Sequence, residues 1–212
     1  MSPAADAGDK LSPMAEADEK ADLLRYLQIA RDALVWKLDG LSEYDVRRPM
    51  VPTGTNLLGL VKHSASVETG YFGDSFGRQW TEPRPWLADD AENDDDMWAK
   101  PEESRDDIVD LYKRVWAFSD ETINSNALDD VASVPWWPED RRQTSLHRLL
   151  VHVTAETNRH CGHADILREM IDGGAGLRAD NSNLASAEAD YWEGYRHKVE
   201  QAARQAAGLE EA

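Results

Sequence analysis

Apolar residues return at three-, four- and seven-residue intervals in five stretches of this chain. That spacing is the signature of amphipathic helices. From about Ala17 to Leu38 the set Leu23, Leu27, Ala30, Leu34 and Leu38 makes one face, and Gly40 is the stop. The segment 42–54 holds Pro49, Pro52 and Gly54 and reads as a connection. A second helix is predicted over Thr55 to Phe72, with Leu60, Val67 and Tyr71 inward, and a third over about 103–124, with Ile108, Leu111, Tyr112, Val115 and Phe118 inward. The longest runs from Ser145 to Gly173 through Leu149, Val153, Ala164, Leu167 and Ile171, with Thr144 as its N-cap and Gly173-Gly174 as its stop. A last helix over about 186–206 would be anchored by Tyr191, Tyr195 and Val199. No stretch alternates with a strand's period, and there is no internal repeat.

These elements predict an all-α fold: a four-helix bundle with an additional C-terminal helix and a long irregular insertion, Gly73 to Lys100. Residues 1–18 are rich in Ala, Asp, Ser and Pro without periodicity and read as a disordered leader, leaving 19–212 as a single domain. Loops as long as the insertion are usually functional or mobile.

The longest helix breaks its own apolar pattern. His152, Glu156, His160 and His163 fall within a narrow arc at about 100° per residue. Unpaired burial of such groups costs several kcal/mol each, so something must satisfy them, and a divalent metal is the leading candidate. Glu156 and His160 stand four apart and share one helix face. His63 sits between Leu60 and Val67 on the inner face of the second helix and would complete a three-ligand set. Three N/O ligands with positions left open characterise catalytic sites, and the donor types favour zinc, with nickel, iron or cobalt admissible. Spacing alone leaves alternatives open. His152 with Glu156 has the same separation, His160 with His163 is three apart, and His63 on its own reads as a core histidine satisfied by a neighbour. A polar core without metal is the competing reading. His147 falls off the arc and is expected to be exposed.

Composition removes several function classes. Forty-one acidic residues against 23 basic ones give a net charge of −18, which disfavours nucleic acid and anionic membrane surfaces. No segment approaches the roughly 20 apolar residues of a membrane span, and no signal-peptide pattern opens the chain. A single cysteine, Cys161, rules out an internal disulfide and suits a reducing compartment, so a cytoplasmic location is expected. The acidic run Asp89 to Asp96 lacks the alternating ligands and central glycine of a calcium loop and reads as solvated surface. Trp136 and Trp137, locked in Val134-Pro-Trp-Trp-Pro138, cannot continue a helix and either wall a pocket or pack on helix ends.

The segments LLGLVKHSASVETGYF around His63, VPWWPED, and LLVHVTAETNRHCGHADILREMIDGGAGLRAD resemble the DinB-like metalloenzyme superfamily. More narrowly, they resemble its actinobacterial mini-circle protein branch, which is associated with mycothiol S-transferases. The resemblance extends from about Ala17 to Val199. It implies a DinB-like bundle holding a divalent metal through one histidine on the second helix and a pair, four apart, on the fourth. The first of that pair is His in many members and Glu in the mycothiol-dependent maleylpyruvate isomerases. Position by position, the resemblance selects His63, Glu156 and His160. Cys161 departs from the pattern, which leads one to expect a small residue there. It is turned about 100° from its neighbouring ligand and reads as packing rather than as a nucleophile.

The resemblance further implies a thiol transferase. A low-molecular-weight thiol such as mycothiol is held as thiolate at the metal and conjugated to an electrophile. His152 or His163 would relay protons. Arg159, Arg168 and Arg178 are candidates for binding the thiol, and Trp136 and Trp137 for walling the electrophile site. Metal-dependent hydrolysis or isomerisation, and a non-catalytic metal-binding protein, are the rival readings. A homodimer is neither required nor excluded.

Overall fold

The computed structural model describes residues 13–88 and 90–209, with side chains from residue 19 onward. Most of the expected leader, 1–12, and one member of the acidic run, Asp89, lie outside the described residues. The first helix, α1 (Pro13–Trp36), begins four residues before the expected start. A short helix, α2 (Glu43–Arg47), follows with Ser42 as its N-cap. The second long helix, α3 (Leu57–Phe72), is capped by Asn56, whose side chain accepts from the Gly59 amide at 2.8 Å. The third, α4 (Arg105–Ser125), is capped by Ser104 through the Asp107 amide. The fourth, α5 (Leu146–Asp172), ends at Gly173, which turns with φ 77°, the left-handed conformation that glycine adopts without penalty. These four long helices form the bundle: α3 packs on α4 and α5, and α1 packs on α5.

The core has two apolar clusters. One gathers Leu34, Leu38, Leu57, Leu60, Ile108, Tyr112, Ala164 and Leu167. The other gathers Leu27, Phe72, Ile123, Leu146, Leu149 and Val153. On α5 they meet across the interval Val153–Ala164, where Thr157, His160 and Cys161 are the buried residues. A buried ion pair ties three helices together beside this seam. Arg31 of α1 and Glu68 of α3 are both fully buried and joined by two bonds, Nε to Oε1 at 2.9 Å and Nη2 to Oε2 at 2.6 Å. Arg31 also donates to Asp120 of α4 at 2.9 Å.

Three expectations need correction. A two-stranded antiparallel ribbon, β1 (Val131–Ser133) with β2 (Gln143–Ser145), precedes α5. At three residues per strand, alternation has no length over which to show. Thr144 is buried in β2, and the cap is Ser145, whose side chain accepts from the Arg148 amide. The C-terminal helix, α6 (Ala189–Ala206), buries none of its described residues. Its intended anchors Tyr191, Tyr195 and Val199 are each about half exposed. Tyr191 stacks on Tyr195 one turn away, and Trp192 meets both rings edge-on, so that aromatic face is satisfied within the helix itself. Among the described residues, no helix is long and apolar enough to cross a membrane.

Candidate metal centre

Helical spacing puts Glu156 and His160 side by side on α5, and the packing of α3 on α5 brings His63 to them. The His160 Nε2 atom is 3.0 Å from Glu156 Oε1, and His63 Nε2 is 3.8 Å from the same oxygen. The two imidazoles meet edge to face with centroids 4.9 Å apart. One donor atom from each residue lies within 4.8 Å of the others. Ligands at about 2.0–2.1 Å around a tetrahedral ion stand roughly 3.3 Å from one another. The observed 3.0 and 3.8 Å bracket that separation, so these residues fit a divalent cation. Among the described residues this is the one such cluster.

Both histidines are held from behind. His63 Nδ1 is 2.7 Å from Asp96 Oδ2. An ionised carboxylate only accepts, so Nδ1 carries the proton and Nε2 is left with its lone pair toward Glu156. This arrangement fixes tautomer and ring orientation at metal-ligating histidines. His160 Nδ1 is 3.4 Å from His163 Nδ1, so His163 stands behind His160 and is not part of the cavity wall. Burial pushes the His160 imidazole below its ordinary pKa, with the nearby His63 adding to the effect against the pull of Glu156. It therefore stays neutral, the form a cation requires. Asp96 is held below the usual carboxylate range: burial opposes ionisation, and the hydrogen bond from His63 does most to outweigh it.

Asp96 reaches His63 because the insertion is clamped onto α3. Lys62, fully buried, donates to the carbonyls of Asp95 and Trp98 and to Glu103 Oε2, at 3.0–3.1 Å. The Asn56 side chain donates to the Met97 carbonyl at 3.1 Å. Gly59 gives that carbonyl its room, since a Cβ there would collide with it. Asp94 turns the chain with φ 62° just before Asp95 and Asp96. The expectation of a solvated acidic run therefore fails at these two residues, because Asp95 is buried and Asp96 faces the histidine. Nothing in the sequence marks Asp96 apart from Asp94 or Asp95, and so it was not predicted.

A cavity of about 510 Å³ opens beside the donors, lined among others by His63, Glu156, Tyr71, Arg84, Trp136 and His152. Trp136 sits at the tip of the β1–β2 hairpin and packs its ring against Gly70 of α3, where a Cβ would come within 2.9 Å of it. Trp137 donates its indole N–H to Tyr71 Oη at 3.2 Å, and that oxygen lies 3.0 Å from His152 Nε2. The cavity wall includes His152 and Trp136 but neither His163 nor Arg159, Arg168 or Arg178. Arg168 is taken up by Asp172 and the carbonyls of Lys37 and Asp39. Arg178 pairs with Asp180, and Arg159 is exposed on α5. The guanidinium in the wall is that of Arg84, from the insertion. His147 is exposed, as its angle on the helix predicts. Cys161 is buried against the Ala30 carbonyl with its thiol pushed up to about 12, burial being the main cause.

Comparison with curated proteins gave no match. The sequence pattern of the family described as Mycothiol-S-transferase matches residues 22–173. That span includes all four bundle helices except the start of α1, together with His63, Glu156 and His160, and it ends where α5 ends. With well over half of its length matched, the chain belongs to the mycothiol S-transferase family.

Proposed function

We propose that this protein joins a low-molecular-weight thiol of the mycothiol type to an electrophile in the cavity beside His63, Glu156 and His160. The observation that carries the reading is the convergence of these donors beside a cavity whose wall includes His63 and Glu156, in a chain of the family described as Mycothiol-S-transferase. His63 and His160 would hold a divalent cation through Nε2, and Glu156 through Oε1. Zinc suits this donor set, with nickel, iron or cobalt as alternatives. When bound, the cation supplies positive charge that favours thiolate over thiol near neutral pH.

The remaining work falls to the chain's own side chains. Asp96 keeps the His63 proton on Nδ1. The thiol proton passes to Tyr71 Oη, on the cavity wall, as the phenol gives its own proton to His152 Nε2, 3.0 Å away. The indole of Trp137 can only donate, so it occupies a lone pair of Tyr71 and leaves the phenol proton for His152 Nε2. Trp136 covers the cavity from the hairpin and limits water. Sulfur forms the new bond to the electrophilic carbon, the displaced electron pair leaves with the leaving group, and His152 can return its proton there through Tyr71. A cytoplasmic setting fits a reaction that consumes a reduced thiol.

The test is consumption of monochlorobimane with mycothiol, with bacillithiol and with neither, by wild type and by His160→Ala. Conjugation that requires a thiol and disappears in His160→Ala supports the reading. Turnover independent of thiol would instead identify water as the nucleophile. A wild type that binds metal yet converts nothing would leave a binding protein.

A further inference from the structure

The cavity wall contains one permanently charged cation, and the bundle does not use most of its donors. Arg84 Nη1 donates to Thr69 Oγ1 at 2.6 Å. Its Nη2 is 3.8 Å from Asp74 Oδ2, beyond hydrogen-bonding distance. A guanidinium has five N–H donors in a planar fork, so Arg84 keeps donors to offer in the cavity. The residue is held in place on both sides: Pro83 and Pro85 flank it, and the 3-10 turn Pro85–Leu87 that follows is pinned by Trp86 Nε1 donating to Ser66 Oγ at 2.9 Å. Its side chain is only 18% exposed, where a charge interaction is less screened than on open surface.

The surroundings give this cation a direction. The other charged groups of the wall are the carboxylates of Asp74, Asp96 and Glu156, so among its side chains only Arg84 attracts an anion, and the cation expected at His63, Glu156 and His160 is taken up by the thiolate. Between these polar groups the wall is apolar, with Val67, Leu87 and Trp136. A molecule that fits carries a carboxylate at one end, an apolar body, and its reactive carbon away from the carboxylate.

We propose that Arg84 anchors a carboxylate of the electrophile, so that the substrates are small, apolar-bodied electrophiles bearing a carboxylate. This rests on the reading of the cavity as the site of thiol transfer. The planar fork suits carboxylate geometry in a way that an ammonium does not.

The experiment measures binding, without turnover, of 4-methylbenzoate and of its uncharged isostere 4-methylbenzamide by titration calorimetry. Wild type is expected to prefer the benzoate about tenfold. Arg84→Gln should abolish the preference and Arg84→Lys retain part of it, with circular dichroism confirming that both variants fold. Asp74→Asn removes the competing carboxylate and should preserve or enlarge the preference. Its loss in Asp74→Asn would mean that Arg84 serves a structural pair, and the proposal would fall. Equal binding of the two probes by wild type, or a preference that survives Arg84→Gln, would also overturn it. So would a preference that vanishes with chelation, since the carboxylate would then sit on the metal. If thiol-dependent conjugation fails while the Arg84-dependent preference persists, the transfer reading falls and the anchor stands.

Discussion

Asp96 and His63 stand 33 residues apart in sequence and 2.7 Å apart in space. The contact fixes which nitrogen of His63 faces Glu156, and it makes the irregular insertion part of the candidate metal centre. Removing a carboxylate behind a metal-ligating histidine typically costs 10–100-fold in metal affinity. Asp96→Asn is therefore expected to weaken zinc binding by at least about tenfold in competition with a chromogenic chelator. Unchanged affinity would mean that His63 is oriented by its packing alone.

The clamp that delivers Asp96 can be loosened from the other side. Gly59→Ala sets a Cβ against the backbone carbonyl of Met97, which has no flexible end to move aside. Overpacking of this kind costs about 1–3 kcal/mol. The variant should unfold at lower denaturant, be cut faster by protease within 90–100, and bind metal more weakly. Loss of stability with wild-type metal affinity would separate the clamp from the site.

Arg31 and Glu68 are completely buried. Glu68→Gln would leave a buried guanidinium with only Asp120 as its charged partner. Breaking a buried pair from one side costs about 3–5 kcal/mol, and the partial rescue by Asp120 places the expectation near the lower end. Equilibrium unfolding in urea measures it.

The pH dependence of the metal-free protein follows from two depressed groups. Burial lowers the pKa of His160, so the unfolded chain takes up a proton before the folded one does. Stability present above the ordinary imidazole pKa of about 6.5 should decline as pH falls through and below that value. Asp96, held ionised by His63 against the effect of burial, adds a second loss below the ordinary carboxylate value of 3.8. Urea midpoints from pH 8 to pH 3 should show both declines. A flat profile between pH 7 and 5.5 would contradict the first.

Cys161 has a thiol pushed up to about 12 and is buried against the Ala30 carbonyl. Iodoacetamide at pH 8 should leave it unmodified in the native protein and alkylate it in urea. Rapid alkylation of the native protein would reopen a nucleophilic role.

What the sequence revealed and what it hid have the same physical cause. Leu149, Val153, Ala164 and Leu167 announce α5 because helical periodicity is written in consecutive residues, and that periodicity also sets Glu156 beside His160. Asp96 and Arg84 reach the cavity from irregular chain, where orientation depends on distant clamps such as Lys62 and the bond from Trp86 to Ser66. Spacing carries no information about such contacts. The aromatic spacing of α6 did predict a face, but Tyr191 and Tyr195 spend it on each other. Periodicity shows that a face exists and leaves open what covers it.

The central claim is that His63, Glu156 and His160 hold one divalent cation. Metal content per chain, measured by plasma mass spectrometry after purification without chelators, tests it most directly in wild type, His63→Ala and His160→Ala. About one metal ion per chain in wild type, with zinc foremost, and little in either variant is the expected result. A wild type that is metal-free and takes up none of the zinc, nickel, iron or cobalt offered to it would contradict the account, leaving these side chains as a polar seam between two apolar clusters.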